Sequence, residues 1–150
     1  MTLGTGSAVG AFADKNVGTG KGVTGSGFAI SGTDAGNYTL TQPAYMTADI
    51  TAASLTVTGV TASNKTYDAS TLASLNVGSA ALSGVIGADT VTLGTGSAVG
   101  AFADKNAGTN KAVTASGFAI SGTDAGNYIL TQPTYITADI TAKAQAEAAC

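Results

Sequence analysis

The chain has no histidine and no tryptophan, and all six of its basic residues are lysine. It has one cysteine and two prolines in 150 residues. Without histidine, a serine or cysteine nucleophile has no imidazole base beside it, so the usual nucleophilic pairs are excluded. Zinc is equally disfavoured, since its sites are built from several Cys and His ligands. Charge is sparse, at 10 % of residues and a net −3, and it is scattered singly. No basic stripe exists to follow a phosphate backbone, so no nucleic-acid partner is expected. No apolar run is long enough for a spanning helix, so no membrane insertion is expected. The start, Met1-Thr2-Leu3-Gly4, has no charged region followed by an apolar run and is not read as a signal peptide. The lone Cys150 has no internal partner; it reads as a handle or chance residue, or as one half of an intermolecular bridge. Packing alone must hold the fold.

What is present points to β structure. Hydrophobic residues make up 44 % of the chain, largely Ala and Val, and Gly contributes 21 residues. Thr, Ala and Ser fill most of the rest. Thr and Val suit a pleated, half-buried surface, and Gly suits turns. The expected class is all-β with many short strands.

The sequence repeats itself. Thr2–Thr51 and Thr92–Thr141 are the same block at an offset of 90 residues, and seven of 50 positions differ. The exchanges are Val17/Ala107, Gly20/Asn110, Gly22/Ala112, Gly25/Ala115, Thr39/Ile129, Ala44/Thr134 and Met46/Ile136. All are small or apolar, or fall in a Gly-rich turn. A period this long exceeds a solenoid coil and fits a string of domains. The phase predicts a back half of one repeat over 1–53, a complete unit over 54–141 and a tail over 142–150. The half-unit would then have to be disordered, fold alone or borrow a partner.

Within the complete unit, Leu55–Thr58 alternates apolar and polar residues as a half-buried strand does. Val77–Val85 is a second apolar stretch. Gly87-Ala88-Asp89 reads as a turn before a strand at Thr90–Leu93. Asp104-Lys105-Asn106 and Gly108-Thr109-Asn110 read together as a hairpin loop. Val113–Ile120 alternates, Tyr128–Leu130 starts another strand, and Pro133 interrupts it before Tyr135–Ile140. Seven or eight strands at about 8–12-residue spacing predict an antiparallel β-sandwich of immunoglobulin-like type. A parallel β-helix is the alternative fold.

Asp124-Ala125-Gly126-Asn127-Tyr128, with its twin Asp34–Tyr38, resembles the tyrosine corner of such sandwiches. There the ring fills the core and the hydroxyl bonds to backbone just upstream, so the buried Tyr is satisfied. Asp34, Tyr38, Asp124 and Tyr128 are therefore the expected structural residues. Leu130 stands where antibody domains have Cys, which makes this a non-disulfide variant.

The unit also resembles the repeat domains called YDG or MBG in filamentous-haemagglutinin-type bacterial adhesins. The matching pieces are 62–68, 87–91, 102–108, 113–117, 122–130 and 136–140. Tyr67-Asp68-Ala69 stands where that family has Tyr-Asp-Gly, so Ala69 is expected to be strained if the position takes a positive φ. The resemblance implies export by a two-partner system, surface display, and a role in adhesion or biofilm. It supplies no catalytic residue.

Other chemistry is weaker. Gly18-Thr19-Gly20-Lys21 lacks the remaining glycine and the hydroxyl of a phosphate loop, and its twin has Asn110. Calcium would need Asp89, Asp104, Asp124 and Asp139, which are dispersed; solvated or turn-capping roles are expected, and no cofactor. A Lys–Asn crosslink at Lys105-Asn106 or Lys15-Asn16 reads better as a polar hairpin end. Asn37 and Asn64 lie in glycosylation sequons that chance explains in a Thr-rich chain. The Ala-rich tail is helix-prone and short. The leading expectation is an extracellular spacer repeat, not an enzyme, whose partners are its neighbouring repeats. The alternatives are a glycan- or matrix-binding module, with Tyr67, Tyr45 or Tyr135 stacking on sugar, and a repeat that associates with itself into a fibre.

Overall fold

The computed structural model describes residues Met1–Gln145. The chain divides into two compact units, the first over Met1–Ala52 and the second beginning at Ala53. Both are all-β.

The first unit contains β1 (Thr2–Gly4), β2 (Val9–Phe12), β3 (Gly18–Ser26), β4 (Ala29–Ser31) and β5 (Met46–Ile50), with a single 3-10 turn at Ala35–Asn37. Its central sheet has the order β2-β3-β5, and β1 pairs with β4. All these ladders are antiparallel.

The second unit opens with a front segment: β6 (Ala53–Thr58), β7 (Thr61–Ala62), β8 (Lys65–Thr66), β9 (Leu72–Ala73), β10 (Leu75–Asn76) and β11 (Ala81–Ser83). The back segment follows: β12 (Thr92–Gly94), β13 (Val99–Phe102), β14 (Gly108–Ser116), β15 (Ala119–Ser121), a 3-10 turn at Ala125–Asn127, β16 (Tyr128–Thr131) and β17 (Ile136–Thr141). A five-stranded sheet, β8-β17-β14-β13-β9, faces a three-stranded sheet, β11-β6-β16. Two ladders are parallel: β16 runs beside β6, and β17 beside β8. The remaining ladders are antiparallel. This is the expected β-sandwich class, with mostly antiparallel ladders, and not a β-helix.

The core follows from strand alternation, because successive side chains point to opposite faces. On β14, Val113 and Ala115 are buried, and on β17 Ile136, Ala138 and Ile140 are buried. Phe102 from β13, Ala73 from β9, Phe118 and Val57 from the opposite sheet complete the cluster. Val57, with the partly buried Leu82 and Leu130, packs the three-stranded sheet against this core.

Two copy differences are compensated. A Cβ on Gly25 would lie 2.5 Å from the terminal methyl of Met46. The second copy has Ala115 there and Ile136 in place of Met46, so the added methyl meets a shorter partner. Gly20 has φ +58 and its counterpart Asn110 has φ +50. Asn is one of the few residues that tolerate this left-handed conformation.

The loop expectation needs correction. Gly108–Asn110 is not hairpin loop but the start of β14, with a bulge between Gly108 and Lys111. The bulge absorbs the polar residues that made this stretch look like a turn. The apolar stretch Val77–Val85 is likewise broken: only Ala81–Ser83 is strand. Residues 142–145 form no strand, while Cys150 and the rest of the helix-prone tail lie outside the described residues.

Candidate functional site

The corner motif builds a clamp on the front segment. Gly122 has φ +118, and a Cβ there would sit 2.5 Å from the carbonyl oxygen of Thr90. Glycine lets the two backbones approach. Asp124 then holds Thr90 at two points: its backbone N–H donates to the Thr90 carbonyl at 3.1 Å, and its carboxylate accepts the Thr90 N–H at 2.7 Å. The 3-10 turn at Ala125–Asn127 brings Tyr128 inward. The Tyr128 hydroxyl accepts the Ile86 N–H at 3.0 Å and donates to the Asp89 carboxylate at 2.6 Å.

These partners lie 42 and 39 residues upstream. The immunoglobulin-type corner places its bond only a few residues upstream, so the anchor is of a different kind. It staples the end of the front segment to the last strands. The turn Gly87-Ala88-Asp89 was legible, but nothing in its spacing announces that Asp89 receives a tyrosine.

In the first copy the same motif stands without that partner. Tyr38 is 63 % exposed, against 7 % for Tyr128. Asp34 still precedes the same 3-10 turn.

The Tyr67-Asp68-Ala69 turn is a second polar cluster. Lys65 reaches across it, donating to the Asp68 carboxylate at 2.8 Å, to the carbonyls of Ser70 and Leu72 at 2.9 and 2.7 Å, and to the Ser70 hydroxyl at 3.3 Å. Its ammonium also lies 5.4 Å from the centre of the Phe102 ring. Asp68 accepts the Ser70 N–H and O–H, each at 3.0 Å. The Lys65 ammonium above all, and then these two donors, hold the Asp68 carboxyl down at about 2. Ala69 takes φ +63, the left-handed conformation that glycine accepts at no steric cost. Tyr67 packs its ring partly against the core and donates its N–H to the Thr141 carbonyl at 2.8 Å. Lys105 lies 5.8 Å from the Tyr67 ring centre.

Two local clamps recur unchanged in both copies. Gln132 bonds the N–H and carbonyl of Phe118 at 3.1 and 3.0 Å, and Gln42 does the same to Phe28 at 3.1 and 2.9 Å. Lys111 pairs with Asp104 and Lys21 with Asp14 across the loop after β13 and β2. In each, the lysine contact and then a backbone N–H lower the carboxyl below its ordinary range.

The four aspartates weighed for calcium do not converge. Asp89 serves Tyr128, Asp104 serves Lys111, Asp124 serves Thr90, and Asp139 accepts the Asn110 N–H at 2.7 Å. No group of three acidic, His or Cys side chains is placed to hold a metal among the described residues. No helix among them is long and apolar enough to cross a membrane.

Tyr45 and Tyr135 differ from every other aromatic residue. Both are fully exposed, and both take positive φ, +65 and +62. Such a conformation is an outlier for a bulky residue. A core role for these two tyrosines is therefore excluded. Each follows a proline by two residues, at the kink that carries the chain into β5 or β17.

No curated protein and no solved structure matches the chain. The family model described as the YDG domain matches residues 1–48 and again residues 51–136. With nearly all of its described length covered by two successive matches, the chain belongs to the YDG domain family.

Proposed function

We propose that this chain is a structural spacer from a secreted bacterial surface adhesin of the filamentous-haemagglutinin type, extracellular and without catalytic activity. The observation that carries the reading is the repetition itself: two near-identical blocks, each building the same central strands in tandem. Arrays of this kind supply length or multivalency. Compact units joined by Thr51-Ala52, without Gly or Pro between Ile50 and Ala53, suit a stiff rod that presents a distal domain. The polar groups that the fold uses are spent on turns and clamps, which suits a scaffold.

Chains carrying one, two and four added 90-residue cassettes test it. Small-angle X-ray scattering should give a maximum dimension that rises in proportion to cassette number. A dimension that levels off, as the array collapses on itself, would sink the spacer.

A second reading has a specific observation behind it. The exposed, strained Tyr45 and Tyr135 offer rings to a glycan or matrix ligand, and strain of this sort collects at binding sites. A glycan array separates the two: binding lost on Tyr135→Ala, or on Tyr67→Ala at the other end of β17, would favour a binding module.

A further inference from the structure

Each long central strand has an inner and an outer face. In the second unit the inner residues of β14 and β17, Val113, Ala115 and Ile136, are buried in the core. Alternation turns Ala112, Thr114 and Thr137 the other way. These three, with Thr134 and Tyr135, are exposed. This outer face therefore stays open to solvent while the inner face is covered. The first unit carries the same outer face. There Gly22 lies opposite Thr47 of β5. Both, with Thr24 and Tyr45, line a hollow of about 470 Å3 that also reaches Gly20 and Ala44. That volume falls within the range of small-molecule sites, roughly 300–1,000 Å3.

The chemistry around the hollow is that of a sugar site. Tyr45 stands fully exposed at φ +65, so its ring is held out in solvent beside the hollow. A tyrosine ring gives a rigid, amphipathic contact surface at little entropic cost. Thr24 and Thr47 bring hydroxyls, which both donate and accept hydrogen bonds. At the far end the Asp49 carboxylate accepts the Gly20 N–H at 2.8 Å through one of its oxygens. From Tyr45 to Asp49 the chain runs about 13 Å, so ring, hydroxyl and carboxylate follow one another along a strand. Among the described residues that line the hollow there is no lysine. A carboxylate without a lysine disfavours acidic sugars through like charge.

The floor of the hollow is where the two copies differ. Four of the seven exchanged positions line it: Gly20, Gly22, Ala44 and Met46. Met46 answers to Gly25 beside it, as the packing of Ala115 and Ile136 shows. The other three have no such partner. A Cβ built on Gly20 or on Gly22 meets nothing within 4 Å, so both border open space. The second copy places an amide, a methyl and a hydroxyl there, with Asn110, Ala112 and Thr134. The ring and the carboxylate stay the same: Tyr135 keeps the exposure and the positive φ, and Asp139 accepts the Asn110 N–H at 2.7 Å.

We infer, resting on the reading of Tyr45 and Tyr135 as ligand-facing rings, that the outer face of each back segment is a subsite for a neutral oligosaccharide, and that positions 20/110, 22/112 and 44/134 set which one it takes. The ring stacks on the C–H face of one sugar, and the threonines and the aspartate bond the hydroxyls of the next. The glycine floor of the first copy accepts a bulkier sugar substituent. The amide and hydroxyl of the second copy fill that space and offer hydrogen bonds instead. Neighbouring repeats thus display related sites of different preference.

The test applies the full chain to an array of neutral and acidic oligosaccharides and follows the bound ones by calorimetry. Tyr45→Ala and Tyr135→Ala sort the bound glycans into two sets, each weakened about tenfold by loss of its stacking ring. The floors are then exchanged. One variant carries Gly20→Asn, Gly22→Ala and Ala44→Thr; the other carries Asn110→Gly, Ala112→Gly and Thr134→Ala. Each new residue is one that the other copy already holds in the same strand, so both variants should fold. The first variant should take on the preference of the second copy, and the second that of the first, with shifts of about tenfold or more between glycans. Binding that depends on the tyrosines but ignores both exchanges would overturn the inference and leave the ring reading standing. No glycan bound, or binding indifferent to both tyrosines, would overturn the two together. Preference for acidic glycans would overturn the ligand class.

Discussion

Phe12 and Phe102 occupy the same place in the repeat, in the same tetrapeptide Val-Gly-Ala-Phe, yet Phe12 is 37 % exposed and Phe102 is 3 % exposed. The strands on which they lie pair identically with their neighbours: Phe12 faces Val23, and Phe102 faces Val113. What differs is the layer above. Val57, Ala73 and the partly buried Leu75 and Val77 cover the second copy. The pair of copies thus separates two contributions that one domain would merge. Local pairing, the glutamine clamp and the lysine–aspartate loop survive without the front segment. Burial of the aromatic residues does not. Tyr38–Thr41 makes the same point for secondary structure: it forms no strand, while Tyr128–Thr131 does, because β6 supplies the ladder.

Truncating the phenylalanines should break the two copies furthest apart. Phe102→Ala should cost about 3–5 kcal/mol through cavity formation. Phe12→Ala should cost well under that, since the ring is already in contact with solvent. Chemical denaturation of each variant decides it, and equal losses would mean that the first copy is covered after all. Next in size is the tyrosine pair. Tyr128→Phe should lose about 1–3 kcal/mol, because it strips a buried bond to Asp89 and leaves the Ile86 N–H without this acceptor. Tyr38→Phe should stay within about 0.5 kcal/mol, as surface changes do. Hydrogen exchange at Ile86 gives a local reading of the first.

A smaller effect is expected at a position that only the second unit has. Ala69→Gly should stabilise by about 1 kcal/mol, by relieving a left-handed alanine. A rise in unfolding midpoint measures it, and no rise would show that the turn has relaxed. The smallest effect concerns acid. Asp68 has its folded pKa lowered to about 2, so its contribution is complete above the unfolded carboxylate value of about 3.9. It fades as pH falls through about 2. The carboxyl is exposed, so the slope of midpoint against pH should be shallow, and Asp68→Asn should flatten it further. Asp14 and Asp104 are lowered by matching lysine contacts, so NMR titration should move them in step. A divergence would mean that the front segment reaches the loop after β13.

The fold class and the larger strands could be read from the chain because period-two alternation at Leu55–Thr58 and along Val113–Ser116 reports one buried face. The repeat block made the shared strands legible twice. What escaped were features made by contacts distant in sequence. The two-residue strands β7 to β10 have no periodicity to detect; pairing alone defines them. The bulge in β14 hid a strand behind turn-like residues. The corner motif pointed to Tyr128, but its hydroxyl partners sit in a turn that no spacing rule connects to it. Tyr45 and Tyr135 could be named from the sequence as candidate sugar-stacking rings, but their positive φ and full exposure could not be read there. Ala69 is the opposite case: its departure from Tyr-Asp-Gly was visible, and its positive φ is the strain that the departure implied.

The parallel pairing of β6 with β16 has a mechanical consequence. These strands stand near the start and the end of the unit, with Ala53 beside Tyr128 and Thr56 beside Thr131. Tension that reaches β6 at its start and β16 at its end draws the two past each other along their length. Adjacent bonds in the ladder then take the load together, instead of parting singly as a hairpin does when its ends are pulled apart. The β17–β8 ladder carries a share of the same shear. A unit wired in this way resists extension up to a threshold and then gives way at once, so a row of such units would behave as a set of mechanical fuses in series.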